Sequence, residues 1–423
     1  MDRTIFHCDC NSFYASAELL SRPDLRDKPV AVCGNPENRH GIILAKNEAA
    51  KAFGVVTAET IGRAQGKCPG LILLPAHHEL YARLSRQINA IYCRYTDQVE
   101  PFSIDESWLD VTGSLPYFKK TGQELADELR AAVRQETGVT ISVGVSFNKV
   151  LAKMGSDYKK PDATTLFTRE NFKERIYPLP VSALLFAGRA ARRVFARLGI
   201  ATIGQLAGYP REQLVELLGK TGGTLWDYAH GIDDTPVKHW GERDPIKTIG
   251  NSITFRRNLQ GLYDIRIALT ALSDKVSSRL IRHGLKCRTL QLQIRDPDFR
   301  TISRQRPLPH PTYLQKDLFD AALSLLSSSW DLDKPIRMLS LTGAQLAPAE
   351  EAGWGQLSLF EPQAPEELKK RESLELMVED LRRRFGADCV TRASILHNDL
   401  GIDTALSGRK GSLERQEPGN TES

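Results

Sequence analysis

Asp105 and Glu106 stand side by side between the lead-in Val99-Glu100-Pro101-Phe102 and the exit Trp108-Leu109-Asp110-Val111. Successive side chains of a strand point to opposite faces, so two adjacent acids converge only where a strand ends in a turn. Ser103-Ile104, immediately ahead, fits such a turn. A third acid, Asp9, lies inside Ile5-Phe6-His7-Cys8-Asp9-Cys10-Asn11-Ser12-Phe13-Tyr14, a run that otherwise reads as buried. A buried carboxylate is costly unless a metal or a cation offsets it. Two adjacent acids plus a distant third suit a pair of hard divalent ions. Mg²⁺ takes carboxylate oxygens and keeps positions open for phosphates. Two such ions roughly 3.5–4 Å apart can clamp the attacking and leaving oxygens of a phosphoryl transfer. Taken alone, an Asp-Glu pair between apolar residues is more often a solvated turn, and Asp9 is what shifts the weight.

The chain of 423 residues is long enough for two to four domains, and its 41% hydrophobic content suffices for real cores. No window holds 18 or more uncharged apolar residues, so no membrane span is expected. The N-terminus lacks a cleavable signal pattern. The seven cysteines (Cys8, Cys10, Cys33, Cys68, Cys93, Cys287, Cys389) are scattered and form no CxxC pair, which argues against zinc and for a reducing cytoplasm. Cys8 and Cys10 flank Asp9, and strand alternation puts them on the opposite face from it. The net charge is +5, unevenly spread: Gly241 to Leu346 carries 17 Lys and Arg against 10 Asp and Glu. A basic segment on a near-neutral body suggests a polyanion partner, nucleic acid first, although an ordinary solvated surface has the same composition.

Periodicity predicts strands at Thr4–Cys10, Val30–Gly34, Ile42–Ala45 and Ile141–Val145. It predicts helices at Ser12–Leu20, Asn47–Phe53 (ended by Gly54), Tyr81–Thr96 and Leu125–Glu136. Arg169 to about Pro236 is helical in pattern, Val237 to Pro245 is polar and reads as a tether, and Arg288–Arg295 alternates strictly as a half-buried strand.

Asp9-Cys10-Asn11-Ser12-Phe13-Tyr14-Ala15-Ser16-Ala17-Glu18, Ser103-Ile104-Asp105-Glu106 and Gly144-Val145-Ser146-Phe147-Asn148-Lys149-Val150-Leu151-Ala152-Lys153 occur in this order. Together they resemble the Y-family translesion DNA polymerases of the polymerase IV and polymerase V type, over about Thr4 to Leu346. The resemblance implies an α/β (α+β) right-hand polymerase with a ferredoxin-like palm (1–10 and 74–167), small fingers (11–73) and a helical thumb (168–236). A linker (237–245), a βαββαβ little finger (246–346) and a C-terminal tail (347–423) would follow. It implies that Asp9, Asp105, Glu106 and the Cys10 carbonyl hold two Mg²⁺ ions, with Glu106 serving the ion at the primer 3′-hydroxyl. Tyr14 would be the steric gate against ribose, beside Phe13 in the nucleotide site. Lys51 and Lys160 would contact the triphosphate, with Lys159 the alternative to Lys160. Many polymerase IV members carry tyrosine and arginine where this chain has Glu48 and Lys51, a departure toward polymerase V. Glu48 would repel a triphosphate unless it points away, and it is given no role. A thumb loop that carries two glycines in the family reads Gly188-Arg189-Ala190 here. That change weakens the case for close backbone contact to DNA.

Gln356-Leu357-Ser358-Leu359-Phe360 resembles the family's sliding-clamp peptide, in which apolar anchors fill a groove. Beyond it, Glu366 to Phe385 sets Leu374, Met377, Val378, Leu381 and Phe385 on one helical face, a docking or core stripe and a candidate partner site. Ser407 to Ser423 is polar and is expected to be disordered. The expected protein is a cytoplasmic, monomeric, low-fidelity DNA polymerase acting on primer-template DNA and dNTPs, with no exonuclease acid cluster. Its rivals are a polymerase V-like subunit needing accessory chains, a weakly active clamp-recruited module, and a nucleotide cyclase. The basic little finger and Tyr14 disfavour the last.

Overall fold

The computed structural model describes residues 2–34, 41–351, 365–396 and 398–402, and its contacts divide the chain into two units that part at Arg243 and Asp244. The segment expected as a clamp peptide and the polar terminus lie outside the described residues. Among those described, no helix is long and apolar enough to cross a membrane.

The first unit is organised on a five-stranded sheet of order β5-β6-β1-β7-β8. Its strands are β1 (Ile5–Cys10), β5 (Val99–Pro101), β6 (Glu106–Asp110), β7 (Ile141–Ser146) and β8 (Thr164–Leu166). All neighbours are antiparallel except β7 and β8. Strand β1 sits at the centre and is buried along its whole length, because both faces are covered. On one face Phe6, Cys8 and Cys10 pack against Tyr81, Leu84, Ile88 and Tyr92 of α4 (His78–Tyr92) and Leu125, Leu129 and Val133 of α6 (Gly122–Thr137). On the other face Ile5 meets Ala152 of α7 (Lys149–Tyr158).

Helix α7 lies close to the sheet for a specific reason. A Cβ added to Gly144 of β7 would stand 1.9 Å from the Ala152 carbonyl oxygen, and the nearest approach of a Cβ added to Gly155 is the Gly144 Cα at 3.0 Å. Two glycines facing each other let helix and strand backbones touch. The sequence reading does not include this helix, although its buried face of Val150, Leu151, Met154 and Gly155 recurs with helical spacing.

A three-stranded sheet of order β3-β2-β4 forms the region expected as fingers: β2 (Val30–Cys33), β3 (Ile43–Lys46) and β4 (Ile72–Pro75). Around it lie α1 (Phe13–Leu19), α2 (Glu48–Ala52) and α3 (Ile61–Lys67), while α5 (Leu115–Phe118) belongs to the palm. Five helices follow: α8 (Phe172–Ile176), α9 (Arg189–Arg197), α10 (Ile203–Ala207), α11 (Arg211–Leu218) and α12 (Lys220–Ala229). They share a core centred on Phe195, Ile203, Leu214 and Leu225. Gly188 caps α9 without a side-chain bond. The segment expected as a tether begins bound to the palm: Val237 is buried with Ile5 and Trp108, and the Lys238 amide donates to Glu100.

The second unit runs β9 (Thr248–Leu259), α13 (Gly261–Arg282), β10 (Leu285–Arg295), β11 (Thr301–Thr312), α14 (Gln315–Ser329) and β12 (Ile336–Pro348), the βαββαβ order expected, with sheet order β11-β10-β12-β9. Leu290, Leu292, Ile294, Leu339 and Leu341 face both helices in one core. The intervening residues of three strands make a row of small polar groups, with Gln293 in register with Ser303 and Ser340.

The helix predicted in the tail is present. Helix α15 (Pro365–Phe385) does dock on α13, but with the other face. Leu368 enters the core, Glu379 accepts from the Ser278 hydroxyl at 2.6 Å and pairs with Arg282, and Arg382 reaches Asp274 at 2.9 Å. Leu374, Met377, Leu381 and Phe385 face outward, the last 71% exposed. Buried ion pairs, which periodicity of apolar residues does not register, set the orientation.

Candidate active site

The turn expected ahead of β6 is present. The Phe102 and Ser103 amides both donate to the Glu106 carbonyl, and the Ser103 hydroxyl donates to Asp105 Oδ1 at 2.7 Å. Glu106 opens β6 and is in register with Asp9, while the Cys10 amide donates to the Asp105 carbonyl at 3.0 Å. Antiparallel pairing thus brings three acids, 96 or more residues apart in sequence for Asp9, to one end of the sheet.

They line one cleft with Cys10, Asn11, Ser12, Phe13, Lys46, Glu48, Lys51, Thr57, Asp157 and Lys160. The Phe13 ring is buried in the palm core, so the cleft meets its main chain. Asn11 is strapped down by bonds to Thr140 and Ser142, and Ser12 turns the chain into α1 with φ +50°. Tyr14 follows directly in the chain but is not among the residues that line the cleft; burial first, then the Asp105 charge, pushes its phenol pKa up.

Lys153, from the middle of α7, and Lys160, two residues past its end, enter the acid cluster. Lys153 Nζ donates to Asp9 Oδ2 at 3.0 Å and to Glu106 Oε1 at 2.9 Å. Lys160 Nζ lies 2.7 Å from Asp9 Oδ2 and 2.7 Å from Asp157 Oδ1. Burial opposes the charged form of Lys160, but Asp9 and Asp157 outweigh it and raise the pKa. Lys159 does not line the cleft. Lys51 does, and Glu48 leans back on it at 3.4 Å, one helical turn apart. This geometry removes much of the repulsion expected from Glu48.

The chemistry of the donors decides whether a metal fits. Burial pushes the Cys8 and Cys10 thiols far up, so neither offers a thiolate. Burial also raises Asp105; the Ser103 bond opposes this, and the charges of Asp9 and Glu106 add to it. A carboxylate held up by burial and by neighbouring acids is relieved by a cation, and oxygen donors select a hard one. Among the described residues no three His, Cys, Asp or Glu side chains are disposed to hold a metal ion at once, since Asp9 and Glu106 turn to the lysines. The residues present therefore fit a hard divalent ion in competition with ammonium groups.

Four contributors escaped the sequence reading: Lys46, Lys153, Asp157 and His7. Lys46 Nζ donates to Thr57 at 3.0 Å; burial, then nearby Lys51, depresses its pKa, as expected of an ammonium short of anions. Its signal was faint, one more lysine next to a helix start. Lys153 was inside a quoted motif but carried no acid partner until folding supplied one. His7 is fully buried on the Asp9 face of β1, its Nε2 3.6 Å from Glu106 Oε2. His7 Nδ1 shares a hydrogen bond with Ser156 Oγ at 2.8 Å, and Ser156 Oγ lies 2.8 Å from the Lys153 carbonyl. Burial, then the Lys153 charge, lowers the imidazole to about 3 and keeps it neutral.

Comparison with known proteins agrees with this geometry. Residues 8–157 match the impB/mucB/samB family and residues 246–359 match its C-terminal domain. DNA polymerase IV of Acetivibrio thermocellus is 45% identical over 406 residues, covering 95% of this chain and 100% of the relative. DNA polymerase IV of Clostridium kluyveri is 34% identical over 94% of this chain and 99% of its own, and DNA polymerase IV 2 of Bacillus subtilis is 37% identical over 93% and 95%. A solved Y-family DNA polymerase chimera superposes with TM-score 0.71 at 22% identity, over 81% of this chain and 98% of the other, which shows the shared fold. Membership of such a family implies use of a divalent metal and binding of template DNA. With its three acids converging on one cleft beside the palm sheet, the chain belongs to the impB/mucB/samB family of Y-family DNA polymerases, of the polymerase IV type.

Proposed function

We propose that this chain performs low-fidelity, template-directed DNA synthesis across damaged positions, by two-metal nucleotidyl transfer and without proofreading. The observation that carries the proposal is the cleft itself, lined by Asp9, Asp105 and Glu106 together with Lys46, Lys51 and Lys160, the last paired with Asp9. Asp9, Asp105, Glu106 and the Cys10 carbonyl would hold two Mg²⁺ ions, which when bound lower the pKa of the primer 3′-hydroxyl and offset charge growing on the α-phosphate. The three lysines receive the triphosphate of a dNTP. Lys51 supplies charge without the planar fork an arginine would give. Tyr14 faces the sugar and excludes a 2′-hydroxyl. The fingers sheet has only three strands, so the nascent pair is loosely enclosed and selection by closure is weak. The polar row on the little-finger sheet, with its basic surroundings, lies along a phosphate backbone.

Gln356, Leu357, Ser358, Leu359 and Phe360 bind a bacterial sliding clamp, and the outward stripe of α15 is a further partner site. The seven free cysteines suit a cytoplasmic, monomeric enzyme.

Primer extension by the purified chain with Mg²⁺ and each dNTP, on undamaged and abasic templates, tests the proposal. Extension should stop after a few nucleotides, cross the lesion and fall at least ~10³-fold in Asp105→Ala, about 4 kcal/mol of barrier. Near-wild-type extension by that variant would sink the assignment. The Asn47 and Lys51 pattern and the long tail favour a second reading, a polymerase V-like subunit. Intact DNA binding without extension by the chain alone would select it. Deleting 356–360 should abolish clamp stimulation and leave basal activity intact.

A further inference from the structure

Glu18 is a buried carboxylate that no step above uses. It lies on α1, four residues after Tyr14, and is 3% exposed. Its Oε1 accepts from the Tyr81 hydroxyl at 2.6 Å and faces His77 Nδ1 at 2.7 Å, while Arg22 Nη1 stands 3.9 Å from Oε2. The Tyr81 oxygen in turn accepts from the His77 amide at 3.0 Å. The phenol of Tyr81 is therefore fixed from two sides, and its ring is fully buried. That ring lies parallel to the Tyr14 ring, with centroids 4.1 Å apart and planes 13° apart. His78 closes the edge of both rings. Burial, then the bond to Glu18, raises the Tyr81 pKa, so its proton stays available for the carboxylate.

An aromatic that excludes a hydroxyl by contact works only if it cannot yield. A ring backed by a mobile neighbour moves aside for the extra atom, and the discrimination disappears. Here Tyr14 has a stacked ring directly behind it, and that ring is anchored by a charge-assisted bond of the strong class. We propose that Glu18 and Tyr81 are positioning residues for sugar selection: the Glu18 carboxylate locks Tyr81, and Tyr81 keeps Tyr14 from receding when a ribonucleotide enters. This inference rests on the reading of Tyr14 as the sugar gate. Neither residue touches the incoming nucleotide or the acids in this scheme, so the deoxyribonucleotide reaction should not depend on them.

The test compares kcat/KM for dNTP and rNTP insertion by the full chain in Tyr14→Ala, Tyr81→Leu, Tyr81→Phe, Glu18→Met and Glu18→Gln. Tyr81→Leu and Glu18→Met should lose about tenfold or more of the deoxy-over-ribo ratio while dNTP insertion stays within about threefold. Tyr81→Phe, which keeps the ring and removes only its anchor, should show a smaller loss of the same sign. Glu18→Gln, which keeps an oxygen for the Tyr81 hydroxyl, should restore most of the ratio. Tyr81→Phe also guards against a Glu18→Met chain that fails to fold. If Tyr14→Ala relaxes selection while Tyr81→Leu and Tyr81→Phe keep the wild-type ratio, the positioning role is overturned and the gate reading survives. If Tyr14→Ala itself selects like wild type, the gate reading fails and this inference with it. Equal losses for dNTP and rNTP in every Tyr81 and Glu18 variant would mean mere structural support, and would overturn it too.

Discussion

Gly144→Ala should damage both stability and catalysis, for one geometric reason. The added Cβ would stand 1.9 Å from the Ala152 carbonyl oxygen, 2.4 Å from the Ser156 amide nitrogen and 2.8 Å from the Gly155 carbonyl carbon. All three are main-chain atoms of α7, so no side-chain rotation relieves the clash. The helix must retreat by more than about 1 Å, and overpacking of this kind costs ~1–3 kcal/mol or more. The same helix carries Lys153 to hydrogen-bond distance of Asp9 and Glu106. A misplacement of about 1 Å in such a constellation can cost ~10²-fold in rate. Urea unfolding midpoints and single-nucleotide insertion rates would be measured beside Gly66→Ala, a site in α3 where an added Cβ meets nothing within 4 Å. Gly66→Ala should be neutral or stabilising by up to ~1 kcal/mol. If Gly144→Ala unfolds within about 0.5 kcal/mol of wild type and inserts at the wild-type rate, the close helix–strand approach is not what positions the lysines.

Lys153→Met should leave the carboxylates one cation short, costing ~3–5 kcal/mol if left uncompensated. Its thermal midpoint should then rise more on adding Mg²⁺ than that of wild type, and an equal Mg²⁺ response in both would refute the competition between ammonium and metal. Lys46→Met should raise KM for dNTPs about tenfold with kcat nearly unchanged; a fall in kcat alone, seen in steady-state kinetics, would argue for a different role. His7 is held at about 3 against an ordinary value of ~6.5, so it takes up a proton on unfolding but not in the native state. Its contribution to stability is present above pH ~6.5 and is lost as pH falls from there toward 3, by up to ~1.4 kcal/mol per unit. Urea midpoints of wild type and His7→Phe between pH 7 and 5 should converge as pH drops, and parallel curves would contradict this.

The sequence by itself determined the identity of the acids and the order of the domains' elements. Asp9 inside a buried run and Asp105-Glu106 at a strand start are local patterns, each ambiguous alone, that become specific when read together with the third motif in order. Also legible were β1, β7, α4 and α6, whose apolar periods are strong. Only tertiary structure decided which cations meet those acids. Lys153 and Lys160 act through a helix held against the sheet by Gly144 and Gly155, a contact between segments whose glycines have no periodicity to read. Glu18 and Tyr81, 63 residues apart, meet only because α1 and α4 pack together. The tail shows a related limit: its apolar stripe was legible, but which face of the helix docks was not, because Glu379 and Arg382 found partners on α13 that a one-dimensional pattern does not contain. Periodicity reports what a segment can bury, and pairing across the fold decides what it does bury.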